Sequence, residues 1–210
     1  MEAERTLTRG ELNRALLARQ LLLERARTPL PRALEQVAGI QAQYAPSMYI
    51  GLWSRLENFE REELTRALEQ RTVVQGTLMR LTIHLVSAHD YWPFVAAIGD
   101  ARRRLWLRTR SERLDQEDLE AAALELRARL VRGPLRRKEI DEIIGKARAN
   151  GVGLWLDLVR VPPSGTWEQR RADLYAAAEN WLGAAEMTKE EGLEHLVGRY
   201  LGGFGPHPRP

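Results

Sequence analysis

The feature that most constrains the fold of this chain is a change of hydrophobic period just after Leu68. Up to that point apolar residues recur at helical spacing. Val73-Val74 and Thr77-Leu-Met-Arg-Leu-Thr-Ile-His-Leu-Val86 are instead rich in β-branched residues and partly alternate, as strands of a half-buried sheet do. Gln75-Gly76 separates the two runs and predicts the turn between them. Three helices followed by a small hairpin is the order of a winged helix-turn-helix. The sequence therefore predicts a mainly α protein with small β-hairpins, an α+β fold.

The preceding helices carry their own punctuation. Leu12, Leu16, Leu17, Leu21 and Leu23 form an apolar stripe, flanked by Arg14, Arg19 and Arg25. Thr8 and Glu11 have the spacing of a capping box. Thr28-Pro-Leu-Pro31 ends this helix and opens a second, in which Leu34, Val37, Ala38 and Gln41 share a face. Pro46 disfavours helical backbone at Ala45, so the second helix is expected to finish near Tyr44. A third helix is expected over Met48 to Leu56, and a fourth, acidic in its first turn, from Phe59 to Leu68.

From His89 the pattern returns to helix, expected in two pieces up to about Arg110. Asp115-Gln-Glu-Asp then starts another helix that runs to Leu130. The second half of the chain repeats the first in outline: a Gly133-Pro134 break, a helix from Leu135, then Val159-Arg-Val, a Pro162-Pro-Ser-Gly-Thr-Trp167 turn and a return strand near Leu174 to Ala176. Strand, Pro/Gly turn and strand make a second wing. The expected organisation is tandem winged helix-turn-helix domains: residues 1–113 with trailing connector helices, 114–185, and 186–210 as the start of a third, truncated domain.

With 210 residues and no cysteine, the chain can bury its own core without disulfides, which fits a reducing cytoplasm. His84, His89, His195 and His207 lack metal-ligand spacing, so no metal site and no cofactor is expected. No apolar run approaches the roughly 20 residues of a membrane span, and the chain reads as soluble. Net charge is only +3, but Lys138, Lys146 and Lys189 are the only lysines. Arginine forks suit phosphate oxygens, although the codon bias of a GC-rich genome gives the same skew.

Gln41-Ala42-Gln43 stands where an apolar helix should be ending. Each amide offers two donors and an acceptor without charge. The pair either caps the helix end or aims at a common point, where it would hold a water or a nucleotide edge. Side chains at i and i+2 share a side in extended backbone and diverge in a helix, so the second use requires the helix to have ended by Gln43.

Several strings then coincide with a known family: LNRALLARQLLLER (12–25), GIQAQYAPSMYIGLWSRL (39–56), TLMRLTIHLVSAHDYW (77–92), GPLRRKEI (133–140), VRVPPSGTW (159–167) and RYLGGFGP (199–206). The chain resembles the winged-helix DNA-binding family of bacterial AlkZ-like DNA glycosylases, densely over residues 8–95 and more loosely beyond. The resemblance implies three tandem winged-helix domains around duplex DNA and excision of bulky alkylated purines or crosslinks. It also implies a catalytic Gln-apolar-Gln motif at Gln41 and Gln43. Leu81 departs from the family's string, where glycine is expected. The third domain, which carries the family's lesion-probing hairpin, would be missing after Pro210.

A neutral glutamine is no general base, but it can orient an attacking water. For DNA contact the candidates are Arg80, Thr82 and His84, read as alternating on one strand; Arg136, Arg137 and Lys138 at a helix start; and Arg160, Trp167, Arg170 and Arg171 around the second wing. Solvated surface is the competing reading for each group. Arg102, Arg103, Arg104, Arg108 and Arg110 read as the solvated face of a connector, and Trp53, Trp92, Trp106, Trp155 and Trp181 as core. The expected partner is alkylated or crosslinked double-stranded DNA, bound by a monomer without membrane or cofactor. The alternatives are a non-catalytic winged-helix transcriptional regulator, or an inactive truncated form of the glycosylase.

Overall fold

A computed structural model describes residues 7–109 and 114–205. Arg110, His207 and the chain's last residues lie outside them. The capping box at Thr8 and Glu11 opens α1 (Arg9–Arg19), but the apolar stripe is not covered: Leu12 and Leu16 are exposed. Proline at the first turn starts α2 (Leu30–Val37). The helix stops well before Tyr44, because Ala38 and Gly39 both adopt positive φ (59° and 84°). A Cβ on Gly39 would stand 2.8 Å from Val86 Cγ1, so this reversal needs glycine. Gln41 accordingly leaves the helical face of Leu34 and enters a short strand, β1 (Ile40–Gln41).

Pro46, read as a helix breaker, instead sits in the first turn of α3 (Ala45–Trp53), where its missing N–H costs nothing. Helix α4 (Arg61–Glu69) leads into β2 (Val73–Thr77), and β3 (Ile83–Ser87) returns antiparallel to it. Gln75-Gly76 lies within β2. The turn is Leu78 to Thr82, where Arg80 and Leu81 are left-handed (φ 54° and 59°). Leu81, where the resemblance leads to an expectation of glycine, thus has a backbone conformation that favours glycine.

Helix α5 (Ala88–Thr109) is a single helix that includes Pro93, not two pieces. Asp115 caps α6 (Gln116–Leu130). Then come β4 (Leu135–Arg136), α7 (Arg137–Ile144), α8 (Lys146–Ala149), β5 (Leu158–Arg160), β6 (Leu174–Ala177), α9 (Ala178–Leu182) and α10 (Lys189–Phe204).

The two wings form one antiparallel sheet in the order β1-β3-β2-β5-β6-β4. β2 and β5 join them, with Gln75 opposite Arg160 and Gly76 opposite Val159. Alternation then sorts the cores. Val74, Val86, Val159 and Ala176 point to one face, with Tyr91 and Phe94 of α5. Val73, Ile83 and Leu85 point to the other, where α2, α3 and α4 supply Leu34, Met48 and Leu64. Further along that second face Leu158 and Ala177 meet Leu126, Ile140 and Ile144 of α6 and α7.

α10 crosses α5 so closely that a Cβ on Gly192 would lie 2.7 Å from Pro93 O and Ala97 N. The segment proposed to start a third domain thus lies against the first unit's connector helix. The division at 113/114 and 185/186 remains our proposal for the domains. Among the described residues no helix is long and apolar enough to cross a membrane.

Two readings of side chains change. Trp53 is 54% exposed, lying under the Arg25 guanidinium at 4.2 Å. Arg102 is 4% exposed: it donates to Thr77 O and, at 3.1 Å, to Asp157 Oδ1. Burial pushes the Asp157 carboxyl above its ordinary value, with Arg102 pulling it back. The connector's arginines are therefore partly an internal clamp, because Arg103 Nε also reaches Leu154 O at 2.9 Å.

Candidate functional site

Gln41 and Gln43 are both exposed, with Ala42 buried between them. Gln41 pairs with His84 on β3, and Tyr44 is still extended (φ −119°, ψ 121°). The requirement that the helix end before Gln43 is met: β1 ends at Gln41, and Gln43 and Tyr44 form a bend before α3. Ala42 N donates to Ile83 O at 2.7 Å. Ile83 N in turn donates to Gln43 Oε1 at 3.2 Å. The Gln43 side chain thus satisfies a sheet N–H while its own NH2 stays free to donate. Gln41's amide has no hydrogen-bond partner among the described residues.

His84 is 5% exposed. Its Nδ1 lies 3.0 Å from Thr82 O. A carbonyl only accepts, so Nδ1 carries the proton and Nε2 is the free acceptor of the neutral ring. Burial holds its pKa below the ordinary 6.5, opposed by the Thr82 bond. Arg80, Thr82 and His84 do not alternate along one strand: Arg80 is in the left-handed turn, Thr82 links turn to strand, and only His84 belongs to β3.

In the second unit Arg136 is the residue before α7, its guanidinium 3.1 Å from Asp173. Arg137 Nε meets Asp141 at 2.7 Å and its NH2 meets Asn150 Oδ1 at 2.6 Å. Lys138 is exposed, 3.9 Å from Glu142. Arg170 and Arg171 are exposed on the 161–173 loop. Trp167 from the same loop packs edge-on against Tyr49 at 5.7 Å, between Arg61 and Arg170. It docks the second wing on the first core. Gln75 supports the same loop, donating from Nε2 to Gly165 O at 3.1 Å.

A polar cluster that the sequence did not suggest joins α2, α5 and α10. Asp90, 1% exposed, accepts from Arg199 (Nε 3.1 Å, NH2 2.9 Å) and lies 2.8 Å from His195 Nε2 and 3.2 Å from His89 Nδ1. Arg199 also lies 3.2 Å from buried Glu35. His89, Asp90 and His195 have ligating atoms within 4.8 Å of one another. The Arg199 guanidinium already supplies the positive charge there, so the cluster reads as a buried ion-pair network holding α10 on the body. Residues some hundred positions apart give no spacing signal.

Helices packed on a continuous two-wing sheet, with Gln41 on its edge strand and Gln43 just beyond it, define a winged-helix-like α+β protein. The family model described as "DNA glycosylase AlkZ-like" matches residues 34–209. The chain belongs to this AlkZ-like DNA glycosylase family. It superposes on the solved structure of Streptomyces sahachiroi DNA glycosylase AlkZ with a TM-score of 0.76 and 18% identity, covering 91% of this chain and 56% of that one. The likeness establishes the fold, and the chain spans little more than half the length of that protein. A search of curated proteins gave no match.

Proposed function

We propose that this chain binds duplex DNA as a monomer and takes part in hydrolysing the N-glycosidic bond of bulky alkylated purines or crosslinked bases, Gln41 and Gln43 placing the water. The observation that carries this reading is that both glutamines are exposed beyond the end of α2, with Gln43 fixed through Ile83 N.

The chemistry suits neutral groups. Alkylation at nitrogen-7 leaves a cationic purine, which departs with the bond electrons without protonation. A water then bonds to C1′ and releases its proton to solvent. An amide oxygen accepts one water hydrogen and leaves the attacking lone pair free, while an amide N–H fixes the oxygen's position. Neither glutamine has to change charge, and no metal or cofactor enters this scheme.

The test is base release from nitrogen-7-alkylated duplex DNA by wild type, Gln41→Ala and Gln43→Ala. Loss of roughly tenfold or more in each variant supports the role, on the scale of one catalytic interaction. Equal rates remove the pair from the mechanism. Wild-type protein that binds duplex as a dimer at one preferred sequence and releases no base would instead be a regulator.

A further inference from the structure

We propose that a cleft over the seam between the two wings seats one backbone phosphate of duplex DNA, with the Arg160 guanidinium as its principal partner; the proposal rests on the DNA-binding part of the reading above. The cleft measures about 200 Å³ and lies where β2 meets β5, walled by α7 and the turn after α8. Its composition fixes the sign of its ligand. Arg137 and Arg160 line it, and no aspartate or glutamate does.

The two arginines differ. Arg137 is bound by Asp141 and Asn150, so its charge is balanced and its plane is fixed. Arg160 is half-buried, and its guanidinium has neither ion pair nor hydrogen bond among the described residues. A guanidinium held partly out of water without a counter-charge is costly, and an anion in the cleft removes that cost.

Other groups lining the cleft are also donors. Asn150 spends its Oδ1 on Arg137, which orients its NH2 without occupying it. The Thr77 hydroxyl makes no hydrogen bond within the described residues. A guanidinium fork and two neutral donors around a concave wall match a phosphodiester's two free oxygens. Arg160 stands opposite Gln75 on β2 and Tyr175 on β6, so rigid strands on both sides position it. A seated phosphate would set the register of the duplex on the sheet without reading bases.

The experiment uses the 210-residue chain and an unmodified, fluorescently labelled duplex titrated at several salt concentrations, with Arg160→Gln, Arg160→Lys and Arg27→Gln as variants. Arg27 is exposed and paired with Glu57 at 2.5 Å, outside the cleft. We expect Arg160→Gln to weaken binding several-fold and to lower the salt slope by about 1, the value of one phosphate contact. Arg160→Lys should keep the slope but not the full affinity, and Arg27→Gln should change neither. Melting temperatures of the free proteins establish that each variant is folded.

An unchanged slope in Arg160→Gln overturns the proposal. So does a result in which inorganic phosphate stabilises wild type but not Arg160→Gln while duplex affinity is equal in both, since the cleft then serves a free anion. The duplex is undamaged, so failure of base release leaves this test standing, and failure here leaves the glutamine test standing.

Discussion

The Gln43 side-chain oxygen, two residues beyond the end of β1, accepts the backbone N–H of Ile83 at 3.2 Å. A side chain here extends a sheet ladder, and the same bond fixes the oxygen of an exposed amide. Bonding the neighbouring backbone and presenting an amide, which compete when the sequence is read alone, do not exclude one another at Gln43, whose NH2 has no partner among the described residues.

Stability should therefore separate the two glutamines. Gln43→Ala strands the half-buried Ile83 N–H and should cost about 1 kcal/mol in urea unfolding, whereas exposed Gln41→Ala should be near neutral. Gln43→Glu keeps an acceptor for Ile83 and should restore stability, but it lacks amide donors, so base release should stay low.

The Asp90 network should behave as a coupled unit. Arg199→Met leaves Asp90, 1% exposed, without its guanidinium, while Glu35 keeps that of Arg32 at 2.7 Å, and should destabilise by about 3 kcal/mol. Adding Asp90→Asn to that variant should recover part of the loss. Urea denaturation of the singles and the double measures the coupling, and strict additivity would refute it.

Helix α10 should depend on its glycines unequally. Gly192→Ala drives a methyl to 2.7 Å from the backbone of Pro93 and Ala97, which a helix cannot readily yield, and should cost about 1–3 kcal/mol. Gly198→Ala meets no atom within 4 Å and should stabilise by up to about 1 kcal/mol through helix propensity. Thermal melts of both variants provide the comparison.

His84 should make stability pH-dependent. Its folded pKa lies below the 6.5 of the free side chain, so between those values the unfolded chain holds more protons than the folded one. The stability it contributes is complete above pH 6.5 and is lost as pH falls through the folded value. Unfolding free energies across pH 7.5 to 5 should decline in wild type and decline less in His84→Gln; parallel curves would refute this.

Much of the local structure is legible from the chain itself. The Thr8–Glu11 box, the Asp115 cap and the strands of the second wing rest on neighbouring residues, and they form where spacing predicts. The errors cluster where backbone strain or distant partners intervene. Left-handed Ala38 cut α2 short of its pattern, and left-handed Arg80 and Leu81 moved the turn beyond Gln75-Gly76. Arg102 looked solvated because its partners, Thr77 and Asp157, lie 25 and 55 residues away.

The sequence by itself determined the order of helices and wings and marked Gln41 and Gln43, because caps, breakers and periodicity act over a few residues. Its strings also pointed to the family. The tertiary structure alone decided that both wings share one sheet through β2 and β5, that Asp90 meets Arg199 109 residues away, and that Arg160 borders a cleft free of carboxylates. Those relations depend on pairing and burial between distant segments, whose energies come from desolvation and close contact in the assembled core and leave no regular spacing in the chain.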